Sequence, residues 1–315
     1  MTRTLGLAAG RPRRTLHRLL LTAGAAAALA LVPAAASAAA APGQYTTIDV
    51  PGAPSTAVVG VNDAGVVSGF YFDNSGSEHG FVDRDGTFTT VNVPGAADTL
   101  ATVITDRGVV PGYYIDSSGA AHGFIDRGGR FITVNAPGAG TASGQGTFVA
   151  NMNNFGVIAG FYIDPGGVQH GFTDRDGRFT AINDPEAGTA SGQGTSVGYI
   201  NDLGQVTGSY TESNGNTVAF AGPIGRFTTV SDPVAPAFST FTAAINDAGV
   251  VVGEYLDANE TFHGFTEVHG VFTPVEDPAG TEGTNVTGIS NRGLIVGFYI
   301  DSSGNFHGFE LSLAR

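Results

Sequence analysis

From Tyr45 onward the chain is a succession of short runs in which apolar and polar residues alternate, broken at regular intervals by turn sequences. In the first full stretch, Thr56 to Val61, Val66 to Asp73, His79 to Asp83 and Phe88 to Val93 are rich in β-branched and aromatic residues. Between them stand Asn62-Asp63-Ala64-Gly65, Asn74-Ser75-Gly76 and Arg84-Asp85-Gly86, which are hairpin-turn sequences. The period-2 pattern predicts four short antiparallel strands, a, b, c and d. No long apolar run appears beyond residue 40.

The pattern then recurs. An aromatic residue opens each strand d, at Tyr45, Phe88, Phe131, Phe179, Phe227 and Phe272, with spacings of 43, 43, 48, 48 and 45. A period of about 45 residues falls in the range of propeller blades. Each unit has a Gly in its a–b turn (Gly65, Gly108, Gly156, Gly204, Gly249, Gly293), as a position with positive φ demands. A Pro follows each opening aromatic by six residues (Pro51, Pro94, Pro137, Pro185, Pro233, Pro278), which suits the exit of a strand. Units one to six are numbered below by these turn glycines.

The two ends of the array are complementary. At Tyr45 the chain begins with a strand d that has no a, b or c before it; at His307 to Leu313 it ends with a strand c that has no d after it. Pairing the two would complete the last unit and remove both free sheet edges. The expected fold is therefore all-β: a six-bladed β-propeller of four-stranded antiparallel blades, closed by the N-terminal strand, with residues 45–315 as one domain. An open solenoid is the alternative, but it would normally carry atypical capping repeats.

Strand b carries Gly-x-Tyr-x-acid in every unit: Gly69-Tyr71-Asp73, Gly112-Tyr114-Asp116, Gly160-Tyr162-Asp164, Gly208-Tyr210-Glu212, Gly253-Tyr255-Asp257 and Gly297-Tyr299-Asp301. Alternation puts these three residues on one sheet face. The expectation is packing, with the Gly admitting a neighbouring blade and the Tyr filling space; a ring of Tyr stacking on sugar is the sharper alternative. Strand c carries His-Gly-Phe in five units (His79, His122, His170, His263 and His307 lead it), while unit four has Val218-Ala219-Phe220.

With a His-x-Phe triplet following an a–b turn that ends in Gly and a Gly-x-Tyr strand, residues 45–315 resemble the bacterial extracellular HAF-repeat family, in which a His-Ala-Phe triplet follows an Asn-x-x-Gly turn and a Val-x-Gly-Tyr strand. The middle Ala of that family's triplet is Gly in five units here, and unit four lacks the His. The resemblance implies an exported repeat protein and no established reaction.

Composition narrows the chemistry. With no Cys among 315 residues, thiol redox chemistry and thiolate metal sites are excluded. One His per blade on a strand away from the axis predicts hydrogen bonding rather than a shared metal ion, and His269 stands alone in a c–d turn. Acids such as Asp83, Asp85, Asp174 and Asp176 sit in turns, where Asp bonds its own backbone. A calcium loop with its closing Glu is absent, so no cofactor is expected beyond weak surface calcium.

Residues 1–18 are basic, Leu19 to Val32 form an apolar run, and Ala36-Ser37-Ala38 is a small-x-small cleavage pattern. Residues 1–38 thus read as a signal peptide, followed by a short linker, 39–44, and predict a secreted or periplasmic protein without stable membrane insertion. Arg13-Arg14 also fits a twin-arginine leader, leaving the export route open. Without that leader the chain carries 9 Arg, no Lys and 28 acids, a net of −19, which repels nucleic acid.

Length variation falls in the d–a connections. Units three and four each carry an insertion containing the same stretch, Gly140 to Thr147 and Gly188 to Thr195. Loops on a rigid scaffold commonly hold ligands, so Thr141, Ser143, Gln145, Thr147, Thr189, Ser191, Gln193 and Thr195, with Asp164 and Glu212 nearby, form the candidate ligand site. The leading expectation is a monomeric, non-enzymatic propeller binding an extracellular carbohydrate or protein. A hydrolase or lyase acting on extracellular polysaccharide through channel-mouth carboxylates is the alternative. It requires two acids with separated pKa values, and an acid present in one blade alone would be its mark.

Overall fold

The computed structural model describes residues 43–313, and their regular structure is entirely strand. The predicted leader and its cleavage point lie outside the described residues.

Unit one is an antiparallel meander of strand a (Ser55–Val61), b (Val67–Phe72), c (Glu78–Arg84) and d (Thr87–Val91). The same order recurs along the chain. Consecutive units touch through single parallel bridges from strand c to the next strand a, as at Ala121↔Gly146, Gln169↔Gly194 and Phe262↔Gly283. Strand a bulges near its middle, for example between Val58 and Gly60 and between Val149 and Asn151, and a bulge bends and twists the strand that carries it.

The first strand, Gly43–Ile48, runs antiparallel to the last, Phe306–Leu313, in unbroken register from Gly43↔Leu313 to Ile48↔Gly308. It thus supplies strand d to unit six, as the complementary chain ends predict. Two further sets of contacts recur, the first within each unit and the second between units. In each strand c the Phe is essentially inaccessible to solvent (Phe81, Phe124, Phe172, Phe220, Phe265, Phe309). Each packs on the aromatic that opens its strand d, with centroids 4.4 Å apart for Phe220 and Phe227 and 5.6 Å for Phe81 and Phe88. In unit six the partner is Tyr45, at 5.5 Å, from the other end of the chain.

The second set lies in the a–b turns. Their six glycines have φ between 75° and 83°, the left-handed conformation that the hairpin requires. The residue two positions before each Gly takes part in a circuit of hydrogen bonds. The backbone N–H of Asp63 donates to Asp106, that of Asp106 to Asn154, and that of Asn154 to Asp202. The circuit continues from Asp202 to Asp247, from Asp247 to Asn291, and from Asn291 back to Asp63 at 2.7 Å. Alongside it, the Asn62 side chain accepts from Ala64 and Val66 and donates to Thr105 O of the next unit.

The glycine roles differ from expectation. A Cβ on Gly69 of strand b would lie 2.0 Å from Ala57 O, in strand a of the same unit, so this Gly relieves crowding at the bulge rather than between units. The strand c glycines are tight on two sides: a Cβ on Gly308 would fall 2.6 Å from Ile48 O in its own unit's strand d and 2.6 Å from Val58 Cγ2 in unit one.

Strand a contributes one more regular feature. In every unit the residue before the repeat Pro donates its N–H to a buried Thr hydroxyl of the following strand a: Val50 to Thr56, Val93 to Thr99, Ala136 to Thr147, Asp184 to Thr195, Asp232 to Thr240 and Asp277 to Thr284. The Thr satisfies a donor at the strand exit that would otherwise be lost.

Candidate functional site

The b–c turns and d–a connections lie at one end of the strands, and the side chains of the strand b and strand c motifs converge there. In unit one, Asp73 Oδ1 accepts from the backbone N–H groups of Ser75 and Ser77, closing the b–c turn. Its other oxygen faces His79 Nε2 at 3.2 Å. The Nδ1 atom faces Asn92 at the end of strand d at 2.9 Å. The imidazole lies against the Tyr71 ring with centroids 5.2 Å apart. Tyr, His and Asp are thus held as one rigid cluster by a turn, a stacking contact and the end of strand d.

Four other units repeat its Tyr–His–Asp part. The His–Asp distances are 3.0 Å for His122–Asp116, 3.1 Å for His170–Asp164, 3.6 Å for His263–Asp257 and 3.4 Å for His307–Asp301. The Tyr–His centroid separations are 5.1, 4.9, 5.0 and 5.0 Å for Tyr114, Tyr162, Tyr255 and Tyr299. At the end of strand d the partner varies: Asn135 for His122, Glu276 for His263 and Asp49 for His307. Each His side chain keeps 24–28% exposure, so each cluster presents an imidazole edge to solvent. Unit four departs from the pattern. Val218 replaces the His, Tyr210 donates instead to Glu186 Oε2 at 2.8 Å, and Glu212 accepts from the side chains of Asn214 and Asn216.

The electrostatics follow from these bonds. The Ser75 hydroxyl, with His79 and the turn amides, holds the Asp73 carboxyl well below the usual carboxylate range; Ser118 and His122 do the same for Asp116. Burial works against charge on His307, yet the bonds to Asp49 and Asp301 outweigh it and raise the imidazole above 6.5. Burial pushes Tyr210 up, reinforced by Glu186.

The inserted loops of units three and four sit on the same end of the molecule. The Gly144 N–H donates to Gly119 O in the preceding unit's b–c turn, and Gln145 Nε2 donates to Pro165 O in its own unit's b–c turn. Gly192 and Gln193 make the equivalent bonds to Gly167 O and Ser213 O. Each loop therefore straddles two b–c turns. Gln145 thus meets the turn that starts at Asp164 and Gln193 the turn that starts at Glu212, whereas Ser143 lies against Gly119 in the turn that starts at Asp116 and Ser191 against Gly167 in the turn that starts at Asp164. Thr141, Ser143, Thr189 and Ser191 are exposed, while Gln145 and Gln193 are half-buried, each accepting a loop N–H at Oε1. Thr147 and Thr195 do not join them. Both are fully buried and serve as strand-exit acceptors, a role shared with the matching Thr of every other unit and so part of the scaffold.

The Tyr–His stacking and the acid or amide supplied by strand d go beyond the sequence reading. A signal for the latter is present: four residues after each opening aromatic stands a polar side chain, Asp49, Asn92, Asn135, Asn183, Ser231 and Glu276. At the opposite end of the molecule the a–b turns border a small cavity of about 50 Å³ lined by the Asp/Asn circuit. Burial there raises Asp247, with Asp202 and Asp63 adding to the effect. Among the described residues no group of three or more His, Asp or Glu side chains is placed to hold a metal ion.

Neither a family model nor a curated protein sequence matches the chain. Solved structures do resemble it. The SapL1 lectin in complex with α-methyl fucoside aligns with a TM-score of 0.51 at 10% identity, covering 83% of this chain and 96% of the lectin. The fungal lectin of Aleuria aurantia, described as a six-bladed β-propeller with a novel fucose recognition mode, aligns at 0.48 and 12% identity over 86% of this chain and 97% of its own. TolB from Acinetobacter baumannii aligns at 0.48 and 9% identity, over 78% of this chain and 63% of TolB. At these identities the likeness to SapL1 is one of fold.

Proposed function

We propose that the chain is an exported six-bladed β-propeller that binds an extracellular carbohydrate through the face formed by its b–c turns and d–a loops, without turnover. Three observations support the closed ring: the pairing of Gly43–Ile48 with Phe306–Leu313, the contact of Tyr45 with Phe309, and the hydrogen-bond circuit that returns from Asn291 to Asp63. Export rests on the leader and on the HAF-repeat resemblance, and a single domain from residue 45 onward follows from the ring.

The observation that carries the binding reading is the repetition of one partly exposed cluster on one face, a Tyr ring against a His that is held by the b–c turn acid, in five units. Catalysis needs one site with two carboxyls differently tuned. A ring of equivalent sites instead suits a ligand that is itself repetitive, because several weak contacts to one polymer multiply into avidity. Planar rings beside fixed hydrogen-bonding groups match the apolar faces and hydroxyls of sugars. The SapL1 structure holds α-methyl fucoside; what is taken from it is the scaffold, not the sugar.

The hydrolase reading has its mark in acids present in one unit alone, among them Glu78, Asp98 and Glu254. Burial alone accounts for the raised pKa of Glu254, with no second acid acting on it, so Glu254 has no partner for a catalytic pair. A bacterial-surface glycan array tests the proposal, with reducing-end release assayed on every hit. Binding without release is expected, and release of new reducing ends from a bound glycan would overturn the non-enzymatic reading.

A further inference from the structure

Between units one and two, on the loop face, lies a cleft of about 270 Å³ lined by Glu78, His79, Asn92, Thr99 and the connection from Val93 to Ala97. Three departures from the repeat meet at this interface. Glu78 occupies a position held elsewhere by Ala121, Gln169, Thr217, Phe262 and Phe306; Asp98 replaces Ser or Gly; and Tyr113 stands where units one, three and six have Phe. The Glu78 N–H donates to Asp98 Oδ1 at 3.0 Å. The Glu78 side chain is 3% exposed, and its Oε2 has no hydrogen-bond partner. An unpartnered carboxyl oxygen buried beside a second carboxylate is costly, and the repeat offers five neutral alternatives for the position.

None of the residues lining the cleft is Arg, and the chain contains no Lys. The missing partner is therefore not supplied from within the site. We infer that this cleft is a subsite for a cationic amine, and, resting on the carbohydrate reading above, for an amino sugar with a free ammonium group seated against Glu78, with Asp98 behind it. A hydroxyl of the sugar ring would meet Asn92 Oδ1, the Asn92 amide nitrogen and both His79 ring nitrogens being engaged already.

Binding should move a proton. Burial, with Asp98, pushes Glu78 up to about 8. The titratable groups around it are Asp98, Tyr113, whose phenol is raised by burial and by both carboxyls, and the His79–Asp73 pair. An arriving ammonium favours the ionised carboxylate, so Glu78 releases its proton to solvent as the amine binds. Affinity should then rise about tenfold from pH 6 to pH 7, the dependence of a single released proton.

The test uses the full mature chain and titration calorimetry with the free-amine glucosamine trimer, its N-acetylated counterpart and methylammonium, in two buffers of different ionisation enthalpy. The free-amine trimer should bind with release of close to one proton at pH 6.5. E78Q should weaken it at least tenfold and abolish the proton release, while N-acetylation abolishes binding at this site. Urea unfolding of E78Q establishes that the variant is folded, and D98N, expected to weaken the trimer in the same direction, serves should E78Q not fold. Equal affinity for the two trimers, or trimer binding unchanged in E78Q, would overturn the inference and leave the carbohydrate reading standing if other glycans bind the array. Glu78-dependent binding of methylammonium with no glycan bound would uphold the cation subsite and overturn the carbohydrate reading.

Discussion

Glu254 in strand b of unit five is the most informative residue to perturb. It stands where units one, three and six have Phe70, Phe161 and Phe298, opposite Phe241 in strand a, and is 6% exposed. Burial pushes its carboxyl from 4.5 to about 8. Between these two values the folded state holds a proton that the unfolded chain has lost, so the stability present below pH 4.5 drains away as pH rises and is fully lost above 8. At about 1.4 kcal/mol per pKa unit, the loss reaches about 3 kcal/mol by pH 7. In Glu254→Gln the group cannot ionise and this dependence is gone. Urea unfolding of the wild type and of Glu254→Gln at pH 5, 6, 7 and 7.5 should show the stability difference moving in the variant's favour by about 3 kcal/mol across the range. Glu78 titrates in both proteins and cancels. Parallel pH profiles would refute the reasoning, since they would mean that the carboxyl is hydrated in the folded state.

Three other outcomes follow from the repeat. Thr147→Val leaves the Ala136 N–H buried without an acceptor and should cost about 1–3 kcal/mol in urea unfolding while leaving glycan binding unchanged, the reverse of what a ligand-contacting Thr would do. Gly160→Ala would place a Cβ 2.2 Å from Phe148 O, so a loss of more than about 3 kcal/mol or failure to fold is expected, whereas Gly144→Ala, with nothing near its Cβ, should cost about 1 kcal/mol through its positive φ alone. Replacing His79, His122, His170, His263 and His307 together by Gln should reduce binding to an immobilised polymeric glycan by about a hundredfold or more, and any one replacement by far less, as loss of avidity requires.

Much of this fold can be read from the residues because each unit solves the same packing problem with local signals. The turn glycines at 65, 108, 156, 204, 249 and 293 mark left-handed positions, and alternation in strands b and c marks the buried faces. The complementary chain ends announce the pairing of Gly43–Ile48 with Phe306–Leu313. What periodicity cannot show is which partner a side chain finds across a unit boundary. Thr147 and Thr195 look like loop residues next to a Gly-rich insertion, yet their hydroxyls point inward to a strand exit eleven residues upstream. The strand b Gly serves its own bulge, and the strand c Gly is tight against both its own strand d and the neighbouring unit. The cluster of Tyr71, His79, Asp73 and Asn92 joins residues from three strands whose convergence depends on register. Glu78 is conspicuous only when all six units are superposed, because its meaning lies in departing from them.

The ring itself can be tested with a cross-link, and the absence of Cys from the chain makes the test clean. Thr46 and Glu310 face each other directly in the closing pair, within the reach of a disulfide. Thr46→Cys combined with Glu310→Cys, mildly oxidised at low protein concentration and run on a non-reducing gel, should give an intramolecular cross-link that speeds migration of the monomer and raises its urea midpoint. Free thiols that persist under oxidation, or cross-links found only between chains, would contradict a molecule closed by its first strand.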